Sequence, residues 1–114
     1  MTSSIFTAFT LPNGQVIKNR LVKAAMEENL ANVEHLPDTV LKRLYKAWAD
    51  GGVGLIITGN VMIDHLAMTG PGGVVLEQDT DLKPFIDLAQ LSQSNDTKIW
   101  MQINHPGRQV FKKM

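Results

Sequence analysis

The sequence of 114 residues contains no cysteine. That excludes a disulfide framework, a thiolate nucleophile and a Cys-ligated metal, and it agrees with a reducing compartment. Net charge is missing too, because eleven Lys and Arg balance eleven Asp and Glu. A nucleic-acid binder takes much of its affinity from clustered cations that neutralise phosphates, and the one basic cluster here is Lys112-Lys113. Nor is there an apolar run approaching the roughly 18 residues that cross a bilayer. The start, Met1-Thr2-Ser3-Ser4-Ile5-Phe6, has neither the basic nor the apolar region of a signal peptide. The expectation is a soluble, cytoplasmic chain with no nucleic-acid and no membrane partner.

What is present is ordinary globular material, 44% hydrophobic against 19% charged, which is too apolar for a disordered tail and long enough to bury one core. Three apolar runs have strand length: Leu21 to Met26, Val53 to Val61 and Lys98 to Asn104. Leu55-Ile56-Ile57 is apolar on both faces, the pattern of a parallel strand buried between two layers. Between the first two runs, Leu41, Leu44, Tyr45 and Trp48 recur at helical spacing, with Pro37-Asp38 as a start and Gly51-Gly52 as a stop. Between the second and third, Asp81 to Leu91 predicts a second helix with an acidic first turn, Pro84 tolerated near its start and Ser94-Asn95-Asp96 as breakers. Strand, helix, strand, helix, strand is an α/β layout whose strands run parallel. Upstream, Phe9-Thr10-Leu11 and Gln15-Val16-Ile17 flank the turn Pro12-Asn13-Gly14 and predict a small hairpin over residues 9–17.

In a parallel α/β sheet a ligand sits beyond the carboxyl ends of the strands, so the candidates lie in Ala24 to Asn29, Thr58 to Asp64 and Gln102 to Arg108. By alternation Gln102 and Asn104 share a face. Paired amides suit a heteroaromatic ligand that offers donors and acceptors; equally, a strand-end amide caps a loop and His105-Pro106-Gly107 is a turn. His35, His65 and His105 match no compact ligand spacing, so no metal is expected. Gly70-Pro71-Gly72-Gly73 lacks the Lys-Ser/Thr of a phosphate loop and reads as a mobile loop over the active-site face. The Leu41 to Trp48 stripe reads as core packing.

Four stretches taken together are more specific: Leu11-Pro12-Asn13-Gly14 through Lys18-Asn19-Arg20-Leu21-Val22, then Ala24-Ala25-Met26, then Gly52-Val53-Gly54-Leu55-Ile56-Ile57-Thr58-Gly59, and finally Gln102-Ile103-Asn104-His105-Pro106-Gly107-Arg108. In this order and spacing the chain resembles, over nearly its whole length, the N-terminal part of the Old Yellow Enzyme family of FMN-dependent NAD(P)H:flavin oxidoreductases and ene-reductases. The resemblance implies a (βα)8 barrel of about 250 residues, of which residues 1–114 form the hairpin, about the first three parallel strands and two helices. It implies FMN across the carboxyl ends of the strands, NADH or NADPH as reductant, and hydride transfer from flavin N5 to an electron-poor alkene or enone.

Residue by residue, the resemblance puts Ala25, Met26 and Glu27 on the first-strand segment that touches the flavin. Gly59 and Asn60 fall where the second strand approaches it, Gln102 falls on the amide that binds the polar edge of the flavin ring, and Asn104 faces the substrate pocket. Three positions depart from the family pattern. Ala25 and Glu27 stand where many members have proline and a small Thr or Cys, and Asn60 stands where Gly or Ala is common, which leaves Gly59 to make the close approach to the ligand. An ionised Glu27 about 4 Å from an anionic reduced flavin would cost about 4 kcal/mol at an effective dielectric near 20, so either Glu27 turns away, is paired or is protonated, or the flavin potential differs from that of the usual ene-reductase. The family's catalytic histidine pair or His/Asn, proton-donating Tyr and phosphate loops belong to later strands. A second expectation follows: the chain alone is a non-catalytic fragment that self-associates through unpaired sheet edges.

Overall fold

The computed structural model describes residues 4–110; Lys112-Lys113 lies outside them. The chain opens with an antiparallel hairpin of β1 (Phe9–Thr10) and β2 (Val16–Ile17), with Phe9 opposite Ile17. Its turn closes through the Leu11 N–H to the Gln15 carbonyl at 2.7 Å and the Gly14 N–H to the Leu11 carbonyl at 2.9 Å. Gly14 sits at φ +88°, where a side chain would be strained. The Arg20 guanidinium lies 5.0 Å from the centre of the Phe9 ring and ties the hairpin to the chain that follows.

A parallel sheet is built around one long strand. Its members are β3 (Val22–Lys23), β4 (Leu55–Met62), β5 (Val74–Val75) and β6 (Lys98–Asn104). β6 runs along one edge of β4 for its whole length. β3 and β5 divide the other edge, β3 against Leu55–Ile56 and β5 against Val61–Met62. Asn19 secures the entry into β3: its side chain donates to the Gly52 carbonyl at 2.7 Å and accepts from the Leu21 N–H at 3.1 Å.

Two helices connect the strands, α1 (Thr39–Asp50) and α2 (Lys83–Ser92). The Asp38 carboxylate caps α1 by accepting from the Thr39 N–H, and Gly51 and Gly52 end it, Gly52 at φ +101°. Leu41, Tyr45 and Ala49, one turn apart, join Ile56, Val61, Val74 and Leu88 in one buried cluster, so the helix stripe does pack on the sheet. No helix among the described residues is long and apolar enough to cross a membrane.

Four local expectations are corrected. The first strand ends at Lys23 rather than Met26, because the chain leaves the ladder as it passes toward α1. The second covers Leu55–Met62 rather than residues 53–61. α2 begins at Lys83, so Asp81 stands before its first turn, where its carboxylate accepts from the Lys83 N–H at 3.0 Å. The segment at residues 70–73 is packed rather than free: Gly73 is buried, the Gly72 carbonyl accepts from the Ala31 N–H at 3.0 Å, and a Cβ on Gly72 would lie 2.5 Å from the Asn29 carbonyl. It leads into β5, too short a strand for alternation to reveal.

Candidate functional site

The site is organised by an irregularity in β4. The register passes from Ile57 opposite Trp100 to Asn60 opposite Gln102, so Thr58 and Gly59 together oppose Met101. Such a bulge inserts one residue and reverses the alternation of faces beyond it. That is why Ile56 and Val61, an odd number of residues apart, both reach the core beneath the helices, and why Asn60 turns to the face that carries Gln102. The bulge also frees ladder groups. The Gln102 N–H goes to Thr58 Oγ1 at 2.9 Å, and the Thr58 hydroxyl donates to the Gly59 carbonyl at 2.8 Å.

On the face away from the helices, Gln102 Nε2 donates to Asn60 Oδ1 at 2.6 Å. Among the described residues, Gln102 Oε1 and Asn60 Nδ2 have no protein partner. The pair therefore presents one fixed carbonyl acceptor and one fixed amide donor, both uncharged. Asn104, two residues along β6, stands on the same face with its Nδ2 3.6 Å from Met62 Sδ. Gln102 and Asn104 are both half-buried, so a ligand could reach either.

The segment after β3 forms the adjoining wall. Ala25, Met26 and Glu27 are exposed, Met26 by 55%. A Cβ on Gly59 would collide with both the Met26 carbonyl and the Glu28 carboxylate. The close approach expected of Gly59 toward a ligand is thus made to the protein's own chain, and its N–H is used internally, 3.1 Å from the Tyr45 hydroxyl and 3.3 Å from Glu28 Oε2. Glu27 Oε1 accepts from the Thr69 hydroxyl, which ties it to the loop between β4 and β5.

Three residues here escaped sequence reasoning. The Tyr45 hydroxyl donates to Glu28 Oε2 at 2.5 Å. Burial first, and then the Glu28 carboxylate, hold this phenol far above its ordinary range, with the Gly59 N–H opposing them. Lys23 Nζ lies 4.5 Å from the centre of the Trp48 ring and 5.9 Å from that of Tyr45, buried without a hydrogen-bond partner among the described residues. Burial lowers its pKa, and Glu28 works against that. One signal was available. Tyr45 is the only tyrosine of the chain, and a phenol on a buried helix face needs a partner for its hydroxyl.

The histidines do not converge. His35 and His65 line one cavity of about 370 Å3 with Glu77, whereas His105 Nδ1 accepts from the Gly107 N–H at 3.0 Å in a turn. Asp64, His65 and Glu77 bring donor atoms within 4.8 Å of one another. There, however, His65 Nδ1 is already 2.8 Å from Glu77, and the same carboxylate accepts from the His65 backbone, so the group is explained as a loop clasp.

Comparison with known proteins gives this geometry a family. The NADH:flavin oxidoreductase / NADH oxidase family model matches residues 4–114. The chain is 36% identical over 104 residues to the NADH-dependent flavin oxidoreductase iliE of Hypocrea jecorina, covering 88% of this chain and 26% of that protein. It is 33% identical over 112 residues to an NADH:fumarate oxidoreductase of Klebsiella pneumoniae, covering 96% of this chain and 12% of that one. Among solved structures, an Old Yellow Enzyme homologue from Zymomonas mobilis superposes with a TM-score of 0.83 at 23% identity, over 95% of this chain and 30% of that chain. The chain thus spans about a quarter or less of the curated relatives it matches, and its fold is the partial (βα)8 barrel that the resemblance implied. With matching motifs, fold and family model over residues 4–114, the chain belongs to the NADH:flavin oxidoreductase / NADH oxidase family.

Proposed function

We propose that the protein carrying this chain is an FMN-dependent NAD(P)H oxidoreductase of the Old Yellow Enzyme type, and that these residues form one flank of its flavin site. The observation that carries this is the Gln102–Asn60 pair, which leaves one amide acceptor and one amide donor on the open face. The pyrimidine edge of a flavin alternates carbonyl and N–H groups, so it needs both kinds of partner. Gln102 and Asn60 would hold that edge, and the exposed Ala25–Met26–Glu27 segment would support the ring beside it. When bound, FMN supplies a hydride carrier that NADH or NADPH can reduce. The Thr69 hydroxyl donates to Glu27 and would hold its side chain toward the loop rather than toward the ring.

For the substrate, we propose a small electron-poor alkene conjugated to a carbonyl, with Asn104 lining its pocket. The similarity to a relative named for fumarate supports this class, because fumarate is a double bond conjugated to carboxyl groups. A second reading, that the chain alone is an inactive, self-associating fragment, is favoured by the apolar outer strand, where Trp100 is 48% and Ile103 65% exposed.

Flavin absorbance tests both. The purified complete gene product should be yellow, release FMN on denaturation and oxidise NAD(P)H; a colourless protein without turnover overturns the first reading. Gln102→Ala should weaken FMN binding or shift the flavin potential. Unchanged affinity, spectrum and potential would remove Gln102 from the site.

A further inference from the structure

The bulge in β4 leaves the Gly59 N–H without a ladder partner, and the protein answers with two side chains from other elements. Tyr45 reaches it from α1 at 3.1 Å and Glu28 from the chain after β3 at 3.3 Å, while the Tyr45 hydroxyl donates to the same Glu28 oxygen at 2.5 Å. Tyr45 is 1% exposed, so this hydroxyl belongs to the interior and not to the surface. Gly59 touches the Met26 carbonyl directly, since even a methyl group there would collide with it. One triangle of hydrogen bonds therefore joins a helix, a strand and the segment carrying Met26 and Glu27. A cavity of about 20 Å3 lies beside it, lined by Glu28, Tyr45, Gly59 and Asn60 among others.

We propose that Tyr45 and Glu28 are positioning residues of the flavin site: as a hydrogen-bonded pair they hold Gly59, and thereby fix the Asn60–Gln102 amide edge against the Met26–Glu27 wall. This rests on the flavin reading above. Neither side chain need touch the ligand. Their effect passes through the Gly59 backbone to Asn60, the next residue, and through Glu28 to Glu27, its neighbour. Lys23, over the rings of Trp48 and Tyr45, stands beside this pair, and Glu28 opposes the lowering of its pKa by burial.

The test uses the complete gene product. Tyr45→Phe keeps the buried ring and removes only the hydroxyl. It should weaken FMN binding about tenfold, the scale of one hydrogen bond to a charged group, and shift the flavin absorption bands and reduction potential. Glu28→Ala should do the same, and the double variant should lose little more than either alone, because the pair acts as a unit. Glu28→Gln keeps an oxygen that accepts from both donors and should restore affinity and spectrum to near wild type. As a control, Ile17→Ala in the hairpin should lower the melting temperature without moving the flavin bands. Unchanged FMN affinity, spectrum and potential in Tyr45→Phe would overturn the proposal, and that variant decides the matter if Glu28→Ala does not fold. A wild-type protein that takes up no FMN would instead overturn the flavin reading itself.

Discussion

At the scale of single residues, Gly59 carries two demands that meet in no other position described here. It gives up its place in the ladder, and it lets the Met26 carbonyl and Glu28 carboxylate press against its α-carbon. Gly59→Ala should therefore displace the Met26 backbone as well as the Glu28 side-chain tip. Overpacking of this kind costs about 1–3 kcal/mol, which urea denaturation would read as a lower midpoint, and the FMN content of the purified protein should fall with it. Gly54→Ala offers a comparison remote from the amide pair. Its Cβ would lie 2.6 Å from Asn19 Oδ1 and 2.8 Å from the Asn19 carbonyl, so it should lower stability while the flavin spectrum of the folded protein stays unchanged. The candidate side chains were legible at this scale where the amides announced themselves: Gln102 and Asn104 share a face by simple alternation. Asn60 joined them only through the bulge, and the roles of Tyr45 and Glu28 could not be read because their contact links residues 17 positions apart.

At the scale of elements, α1 and α2 meet through ions as well as through the core. Lys42 of α1 lies 3.3 Å from Asp87 of α2, and Lys83 lies 2.5 Å from the other oxygen of the same carboxylate. The hydrogen bond from Lys83, more than that from Lys42, holds the Asp87 carboxyl below its usual value of 3.8. A carboxyl lowered in the folded state adds stability that is present above its unfolded pKa and is lost as the pH falls through the folded one. Asp87→Asn should thus unfold slightly more readily than wild type at pH 7. The difference should shrink at pH 3 and in 1 M salt, as chemical denaturation under the three conditions would reveal. Leu88 belongs to the apolar part of the same seam at 7% exposure, and Leu88→Ala should cost about 2–5 kcal/mol at any of these pH values. Both helices and the strand Lys98–Asn104 could be read from the sequence, since their apolar spacing and stop signals agree. β3 was legible within the run Leu21 to Met26, though not its early end at Lys23; β5 was not, because two residues carry no periodicity and it is defined only by the edge of β4 it occupies.

At the scale of the whole molecule, β4 is paired on both edges, while among the described residues β6 is paired on one. Trp100, Met101 and Ile103 on that outer strand are all more than two-fifths exposed. An open, apolar strand edge templates further pairing. The 114-residue chain expressed alone should therefore sediment as oligomers, and Ile103→Lys should shift it toward monomer; a monodisperse wild-type monomer would count against this edge as the adhesive surface. The parallel layout was legible because βα alternation leaves few ways to cover such runs. The sharing of one edge of β4 by two short strands was not.

That sharing has a consequence for how the interior breathes. The pairing of β3 with β4 stops at Ile56 and that of β5 starts at Val61, so over the gap between them the backbone of β4 has side chains, not a strand, on that side. Among the described residues the Gly59 amide is hydrogen-bonded by the Tyr45 and Glu28 side chains instead of by a neighbouring strand. Its deuterium uptake should consequently keep time with the lifting of α1 and be indifferent to fraying of the sheet. A single slow amide in the middle of a strand would then serve as a clock for helix detachment, running faster in Tyr45→Phe while its neighbours at Ile56 and Val61 keep their pace.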